Sequence, residues 1–289
     1  MEVLNPREYE TVLDPACGSG GFLVGAMDHV FKTIESERDD INEILENQKD
    51  YASDNVYGID YDPLIAKVAK AYMLIWGDGR SNICIADGLT QKNWNEHSRD
   101  RLLVPDEFGS QNLKQFDVVM MNPPFSGAVS SEEVLSQFDL SYKIDSKGKR
   151  KRSASVARDI LFLERGLQYL RPGGRMAVVV PRGLLKNYND ERVRQYLLKH
   201  ASIRAVVSLS GTMFKPFTNT KTCVIFLQKR AKPLLDLKET HNDADVVYAV
   251  TQRSGKDRSG SLVRKSDGSI DSDLPEIRDY LVQNINWED

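Results

Sequence analysis

The most pointed chemistry in this chain is carried by Asn122-Pro123-Pro124-Phe125, which follows the apolar run Phe116-Asp117-Val118-Val119-Met120-Met121. That run is too short and too unbroken for an amphipathic helix and reads as a buried strand. Pro123 has a fixed φ and no N–H, and Asn122 and Pro123 each precede a proline, which drives both to extended backbone. The expected product is a stiff peptide at a strand end that turns one amide side chain, its carbonyls and one aromatic ring outward. Such a peptide makes a poor turn and a good clamp for a planar group bearing an NH2.

A second stretch, Asp14-Pro15-Ala16-Cys17-Gly18-Ser19-Gly20-Gly21-Phe22, follows a short strand Thr11-Val12-Leu13. Beyond it Leu23, Val24, Ala26, Met27, Val30, Phe31 and Ile34 keep helical spacing, which starts a helix near Gly20 or Gly21. Strand, glycine-rich turn and helix open a nucleotide-binding βα unit, because glycines admit a ligand close to the backbone and a helix N-terminus favours an anion. Alone, such a turn is a weak signal. The nicotinamide fingerprint needs a third glycine where Leu23 stands, which disfavours a pyrophosphate cofactor. Two acids complete the set. Asp60 ends the strand Asn55–Asp60 and suits a grip on ribose hydroxyls, and Asp87 follows the strand Asn82–Ala86. Asp62, close by, reads as a helix N-cap with Pro63 at the first helical position.

The elements that must position these residues alternate strand and helix. Helices are expected over Pro63–Ile75, Asp159–Leu170 and about Asn189–His200, and a further strand over Arg175–Pro181. Residues 35–54 read as a mostly polar extension of the first helix or a short second one followed by a loop, and 90–114 as irregular. Ile203–Leu209 and Thr220–Leu227 are joined by a short loop and should pair as an antiparallel hairpin at the sheet edge. The fold class is therefore α/β, a doubly wound, mostly parallel, seven-stranded Rossmann-like sheet with an antiparallel edge hairpin. In such sheets ligands bind at the carboxyl ends of the strands, where the glycine turn, Asp60, Asp87 and Asn122 would stand side by side. The catalytic domain is assigned to 1–230 and an appendage to 231–289, with a strand at Val246–Val250 and a short helix at Pro275–Val282. Within the domain, 126–157 is a long loop carrying the basic run Lys147, Lys149, Arg150, Lys151 and Arg152. That run reads equally as a solvated loop and as a set of DNA phosphate contacts.

The totals bound the answer. A chain of 289 residues can hold one α/β core with a small appendage. Net charge of −3 argues against a uniformly basic nucleic-acid coat, while leaving room for a local patch. The chain shows no membrane-spanning run and no secretory signal, and Cys17, Cys84 and Cys223 read as buried free thiols, which together point to the cytoplasm. Four scattered histidines show no ligand spacing, so no metal is expected.

Taken together, Asp14–Phe22 and Asn122–Phe125 resemble the adenine-N6 DNA methyltransferases, and most of all the modification subunit of type I restriction–modification systems. Pro172–Pro181, Phe217–Thr222, Gly255–Gly260 and Asp271–Pro275 match the same family, so the resemblance covers nearly the whole chain. It implies S-adenosylmethionine as cofactor, bound by Asp14, Ala16, Gly18, Ser19, Gly20, Gly21, Phe22, Asp60 and Asp87. Ser19-Gly20-Gly21 would hold the methionine part, Asp60 the ribose and Asp87 the adenine amino group. Asn122, Pro123, Pro124 and Phe125 would be catalytic, acting on an adenine flipped out of double-stranded DNA, with Phe125 on one face of the base and Phe214 on the other. Phe214 also reads as an ordinary hairpin-core aromatic. Implied partners are a specificity subunit, since no sequence-reading domain is visible, and a restriction subunit. The family carries a further cofactor-binding segment and a helical domain upstream of the glycine-rich turn; here about ten residues precede that strand, so a fragment, a truncation or a split gene is expected. Three rival readings share the Asn-Pro-Pro clamp or the fold: a glutamine-N5 methyltransferase, a ribosomal RNA guanine-N2 methyltransferase, and a non-catalytic scaffold subunit.

Overall fold

The computed structural model describes residues 1–77, 82–144 and 148–287. Its elements run β1 (Val12–Asp14), α1 (Gly21–Glu37), α2 (Ile41–Asp54), β2 (Val56–Asp60), α3 (Pro63–Ile75), β3 (Asn82–Ile85), α4 (Glu96–Leu102), β4 (Leu103–Pro105), β5 (Gln111–Leu113) and β6 (Phe116–Met121). There follow β7 (Ala128–Val129), α5 (Glu132–Leu135), β8 (Tyr142–Ile144), β9 (Arg150–Arg152), β10 (Val156–Ala157), α6 (Arg158–Tyr169) and β11 (Leu170–Pro181). The last are α7 (Arg182–Lys186), α8 (Glu191–His200), β12 (Ala201–Ser208), β13 (Thr222–Lys229), β14 (Val247–Val250) and α9 (Leu274–Asn284). Two compact units result: Met1 with Val3–Met176, and Glu2 with Ala177–Asp289.

In the first unit β1 lies between β2 and β6, all parallel, with Val12 opposite both Val56 and Val118. On the far side of β2, β3 adds in parallel, with Asp60 opposite Ile85. These strands are covered on both faces, so they read as continuous apolar runs: Val12, Leu13, Ile59, Ile83, Val118, Val119 and Met121 are fully buried. Helix α1 buries Leu23, Val24, Ala26, Met27, Val30 and Ile34, the stripe its spacing implies. Helix α6 packs closely against the sheet. A Cβ on Gly166 would fall 2.3 Å from Met121 Cε and 2.8 Å from Met176 Sδ, so at this glycine the helix seats against two flexible methionine tips. A buried bidentate pair, Arg175 Nη1 and Nη2 to Glu10 at 2.9 and 2.5 Å, ties the segment before β1 to β11.

Three regions are more ordered than their sequence implies. Residues 41–54 form a full helix whose side facing the unit is made by Ile44, Tyr51, Ala52 and Ser53; the small and polar members hide the stripe. The segment 90–114 holds α4 and the hairpin β4–β5. The long basic loop holds α5, a β7–β10 pair and an antiparallel ribbon of β8 with β9.

In the second unit β12 and β13 form the expected antiparallel hairpin. It is not at an edge: β14 adds in parallel along β12, with Ala205 opposite Val247. The appendage strand expected at Val246–Val250 thus joins the hairpin as Val247–Val250. Among the described residues no helix is long and apolar enough to cross a membrane. Cys17, Cys84 and Cys223 are buried free thiols.

Candidate active site

The parallel register brings the four marked strand ends to one edge of the first unit. A cavity of about 600 Å³ opens there, lined by Ala16, Asp60, Asp87, Asn122 and Pro124 together with Pro15, Tyr61, Asp62, Gly88, Leu89, Val129, Arg158 and Phe162. Residues 108 positions apart in the chain thus share one hollow.

The glycine-rich turn is shaped by two left-handed glycines, Gly18 at φ 53° and Gly20 at φ 85°. Cys17 N donates to Ile59 O at 2.9 Å and Gly20 N to Cys17 O at 2.9 Å, which folds the turn back onto β2. Burial pushes the Cys17 thiol up, with Asp14 and Asp60 adding to the effect, so it packs as an apolar group. A Cβ built on Gly18 or Gly21 would meet nothing within 4 Å, which leaves open space above the turn. Gly88 is the opposite case. A Cβ there would lie 2.6 Å from Pro15 O and 3.1 Å from the Phe162 ring, so the end of β3 and the first turn meet backbone to backbone.

Each acid is held differently. Asp60 Oδ2 accepts from Gly18 N at 2.9 Å and Oδ1 from Asp62 N at 2.8 Å, so one carboxylate joins the glycine turn to the start of α3. Asp62 Oδ1 accepts from Leu64 N at 2.8 Å and Ile65 N at 3.2 Å: it is the N-cap of α3, and it also faces the cavity. Asp87 Oδ1 accepts from Leu89 N at 2.9 Å, and its backbone carbonyl takes the Trp94 indole N–H at 2.9 Å. Asp14 is buried and accepts from Ala16 N at 3.0 Å. Burial, opposed by that hydrogen bond and reinforced by the Asp60 charge, pushes its carboxyl up to about 8. It shapes the turn and is absent from the cavity wall.

Asn122 and Pro124 are exposed, Pro123 is buried and Phe125 half-buried. Buried Arg165, at the other side of the β3 end, donates to Leu89 O at 2.7 Å and Gln137 Oε1 at 2.9 Å and lies 4.6 Å from the Phe138 ring. It braces the loop after Asp87. Three carboxylates, Asp60, Asp62 and Asp87, face the cavity against one guanidinium, Arg158. The hollow therefore favours a ligand with positive or hydrogen-bond-donating parts.

Of the other expected site residues, Gly18, Ser19, Gly20, Gly21 and Phe22 follow the wall residues Pro15 and Ala16, and Phe22 is 37% exposed. Phe214 belongs to the second unit, on the loop between β12 and β13. There the tail braces it: Lys256 Nζ donates to Lys215 O at 3.2 Å, and a Cβ on Gly260 would lie 2.7 Å from Pro216 N. Asp257 Oδ1, accepting from the N–H groups of Ser259, Gly260 and Ser261, closes the turn that makes this fit. In the basic run, Lys147 lies outside the described residues. Arg150 is paired with Asp139 at 2.6 Å and stacked 3.9 Å over Tyr142, and Arg152 is paired with Glu132. Sequence reasoning missed Arg158, Phe162 and Val129, whose wall positions follow from the fold of 126–157. Gly88 had a signal: a glycine directly after a strand-end acid marks close backbone approach.

The family model for N-6 DNA methylase matches residues 1–261. Among curated relatives, the type II restriction enzyme and methyltransferase RM.BcgI of Heyndrickxia coagulans is 25% identical over 227 residues, 78% of this chain and 29% of that protein. The type I restriction enzyme EcoEI methylase subunit of Escherichia coli is 26% identical over 230 residues, 78% of this chain and 39% of that one. The chain thus spans well under half the length of these relatives. The solved type I restriction-modification system methyltransferase subunit from Streptococcus thermophilus superposes with a TM-score of 0.62 at 20% identity, covering 99% of this chain and 52% of that chain. That likeness shows a shared fold, a mixed α/β methyltransferase fold with a large, mostly parallel sheet. With the clamp and the glycine turn meeting at one strand edge, and with the family match running through more than half of its length, the chain belongs to the N-6 DNA methylase family.

Proposed function

We propose that this chain transfers a methyl group from S-adenosylmethionine to the N6 amino group of adenine in DNA, as the modification subunit of a type I restriction–modification system. One observation carries the reading: a single cavity joins Asn122 and Pro124 of the clamp to Ala16, Asp60 and Asp87.

The residues fit the cofactor. The open space above Gly18 and Gly21 admits a backbone-hugging chain, Asp60 and Asp87 offer acceptors for hydroxyl and amino groups, and the excess of carboxylates suits a sulfonium cation. A hollow of about 600 Å³ is of the size usual for such a ligand. Bound there, S-adenosylmethionine supplies a methyl group on a sulfonium centre, open to displacement by a nitrogen nucleophile.

The chain's own residues prepare that nucleophile. Adenine's amino nitrogen is weak because its lone pair is delocalised into the ring. The Asn122 side-chain oxygen and the Pro123 carbonyl each accept one of its N–H bonds and draw it toward tetrahedral geometry, freeing the lone pair. This is preorganised electrostatic stabilisation. The nitrogen turns cationic as the new bond forms, becomes strongly acidic and releases a proton along those acceptors. The base reaches the cavity by leaving the duplex. Phe125 stacks on it for roughly 1–3 kcal/mol. A specificity subunit chooses the DNA site and a restriction subunit completes the assembly.

Asn122→Ala should lower methyl transfer to adenine on the order of 100- to 1000-fold. Calorimetric affinity for S-adenosylmethionine should stay unchanged. Retained transfer to adenine would sink the role given to Asn122. Absence of cofactor binding at millimolar concentration would favour the scaffold reading, and transfer to a glutamine amide or a guanine amino group would favour the other two.

A further inference from the structure

We infer that Lys143 and Lys151 together hold a backbone phosphate of DNA, in a second cavity beside the proposed active site. The inference rests on the DNA reading and gives it a place on the surface.

The ribbon sorts its cations by face. Tyr142 stands opposite Arg152, Lys143 opposite Lys151, and Ile144 opposite Arg150. Alternation along each strand therefore puts Tyr142, Ile144, Arg150 and Arg152 on one side and the two lysines on the other. The arginines are neutralised by the protein itself, Arg150 by Asp139 and Arg152 by Glu132. Among the described residues neither lysine has an ion pair or a side-chain hydrogen bond.

Two like charges directly opposite on a ribbon have their Cβ atoms only about 4.5–5.5 Å apart and repel each other. An anion between them converts that repulsion into two attractions. The surroundings suit one. Lys143 and Lys151 line a cavity of about 840 Å³ together with Ser130 and Ser153, and Ile144 and Arg152 border it as well. Glu132, the acid in this wall, is taken by Arg152.

Position selects the source of the anion. Val129 lines the proposed active site and Ser130, the next residue, lines the ribbon cavity, so one short stretch of chain borders both hollows. A strand whose base enters the first has its flanking phosphate at the second.

The test is a salt series of DNA binding by the chain with S-adenosylmethionine, using a labelled duplex, for the unsubstituted protein and for Lys143→Gln with Lys151→Gln. Loss of the one phosphate contact should reduce the slope of log affinity against log salt by about 0.9, the value per phosphate, and weaken all sequences alike. Calorimetric cofactor affinity should not change, and Arg150→Gln should leave the slope as it is. An undiminished slope in the double variant overturns the clamp while leaving the DNA reading intact. Failure of the unsubstituted chain to bind DNA at low salt overturns both. Tight binding of inorganic phosphate that needs both lysines, with DNA affinity independent of them, assigns the pair to a free anion and also overturns it.

Discussion

The two cavities of the first unit are built in opposite ways. The strand-edge hollow is walled by backbone: its acids sit at the ends of buried parallel strands, and Gly88 leaves no room for even one added carbon. The ribbon hollow is walled by side chains on a two-stranded piece of surface, held by exposed ion pairs. The first can hold a small ligand in one place. The second can meet a charged backbone of any sequence, which needs a field more than a shape. On the proposed reading, chemistry falls to the rigid part and attachment to the adaptable one.

Four substitutions break or sharpen that contrast. Gly88→Ala should cost about 2–3 kcal/mol, because the new Cβ meets the Pro15 carbonyl rather than a flexible side chain, and should abolish cofactor binding. Urea unfolding and calorimetry read the two effects, and an unchanged midpoint would show that the edge yields. Next comes Asp14→Asn. The folded state keeps the Asp14 proton up to about 8, while the unfolded chain gives it up near 3.8. Between those values the folded state binds the extra proton, so this group's contribution to stability falls as pH rises, by up to about 1.4 kcal/mol per unit. The asparagine variant should lose that slope in unfolding midpoints taken from pH 5 to 8; parallel slopes would place the proton elsewhere.

Gly21→Ala acts on open space. Nothing lies within 4 Å of its added carbon, so stability should hold while cofactor affinity falls about tenfold, or 1.4 kcal/mol. Unaltered affinity would mean that the ligand keeps clear of the turn. The smallest effect belongs to the ribbon. Arg150 and Asp139 are 55% and 64% exposed, and Arg150→Gln should cost under about 1 kcal/mol in thermal unfolding. A larger loss would make the ribbon a rigid wall like the other.

The same contrast explains what could be read from residues alone. β1, β2, β3 and β6 stood out because strands covered on both faces need unbroken apolar runs, and their end residues fall in short motifs. Helix α2 stood out less, since its buried side mixes Ile44 and Tyr51 with the small Ala52 and the polar Ser53. The ribbon was invisible for a related reason: Arg150-Lys151-Arg152 alternates in partner, acid or none, and not in polarity. Residues such as Arg158 and Phe162 reach the cavity wall only through the path of 126–157, which no local spacing encodes. The hairpin was legible but its edge position was not, because the parallel partner β14 comes from beyond a change in composition.

The clamp's two prolines have a consequence for temperature. Fixing one residue's backbone costs about 1–2 kcal/mol of conformational entropy, and Asn122 and Pro123 are restricted before any base arrives. Closing on the amino group therefore removes little disorder from the protein. The step should show a near-zero activation entropy on the enzyme's side, with its barrier mainly enthalpic, so that cooling slows transfer without loosening the grip.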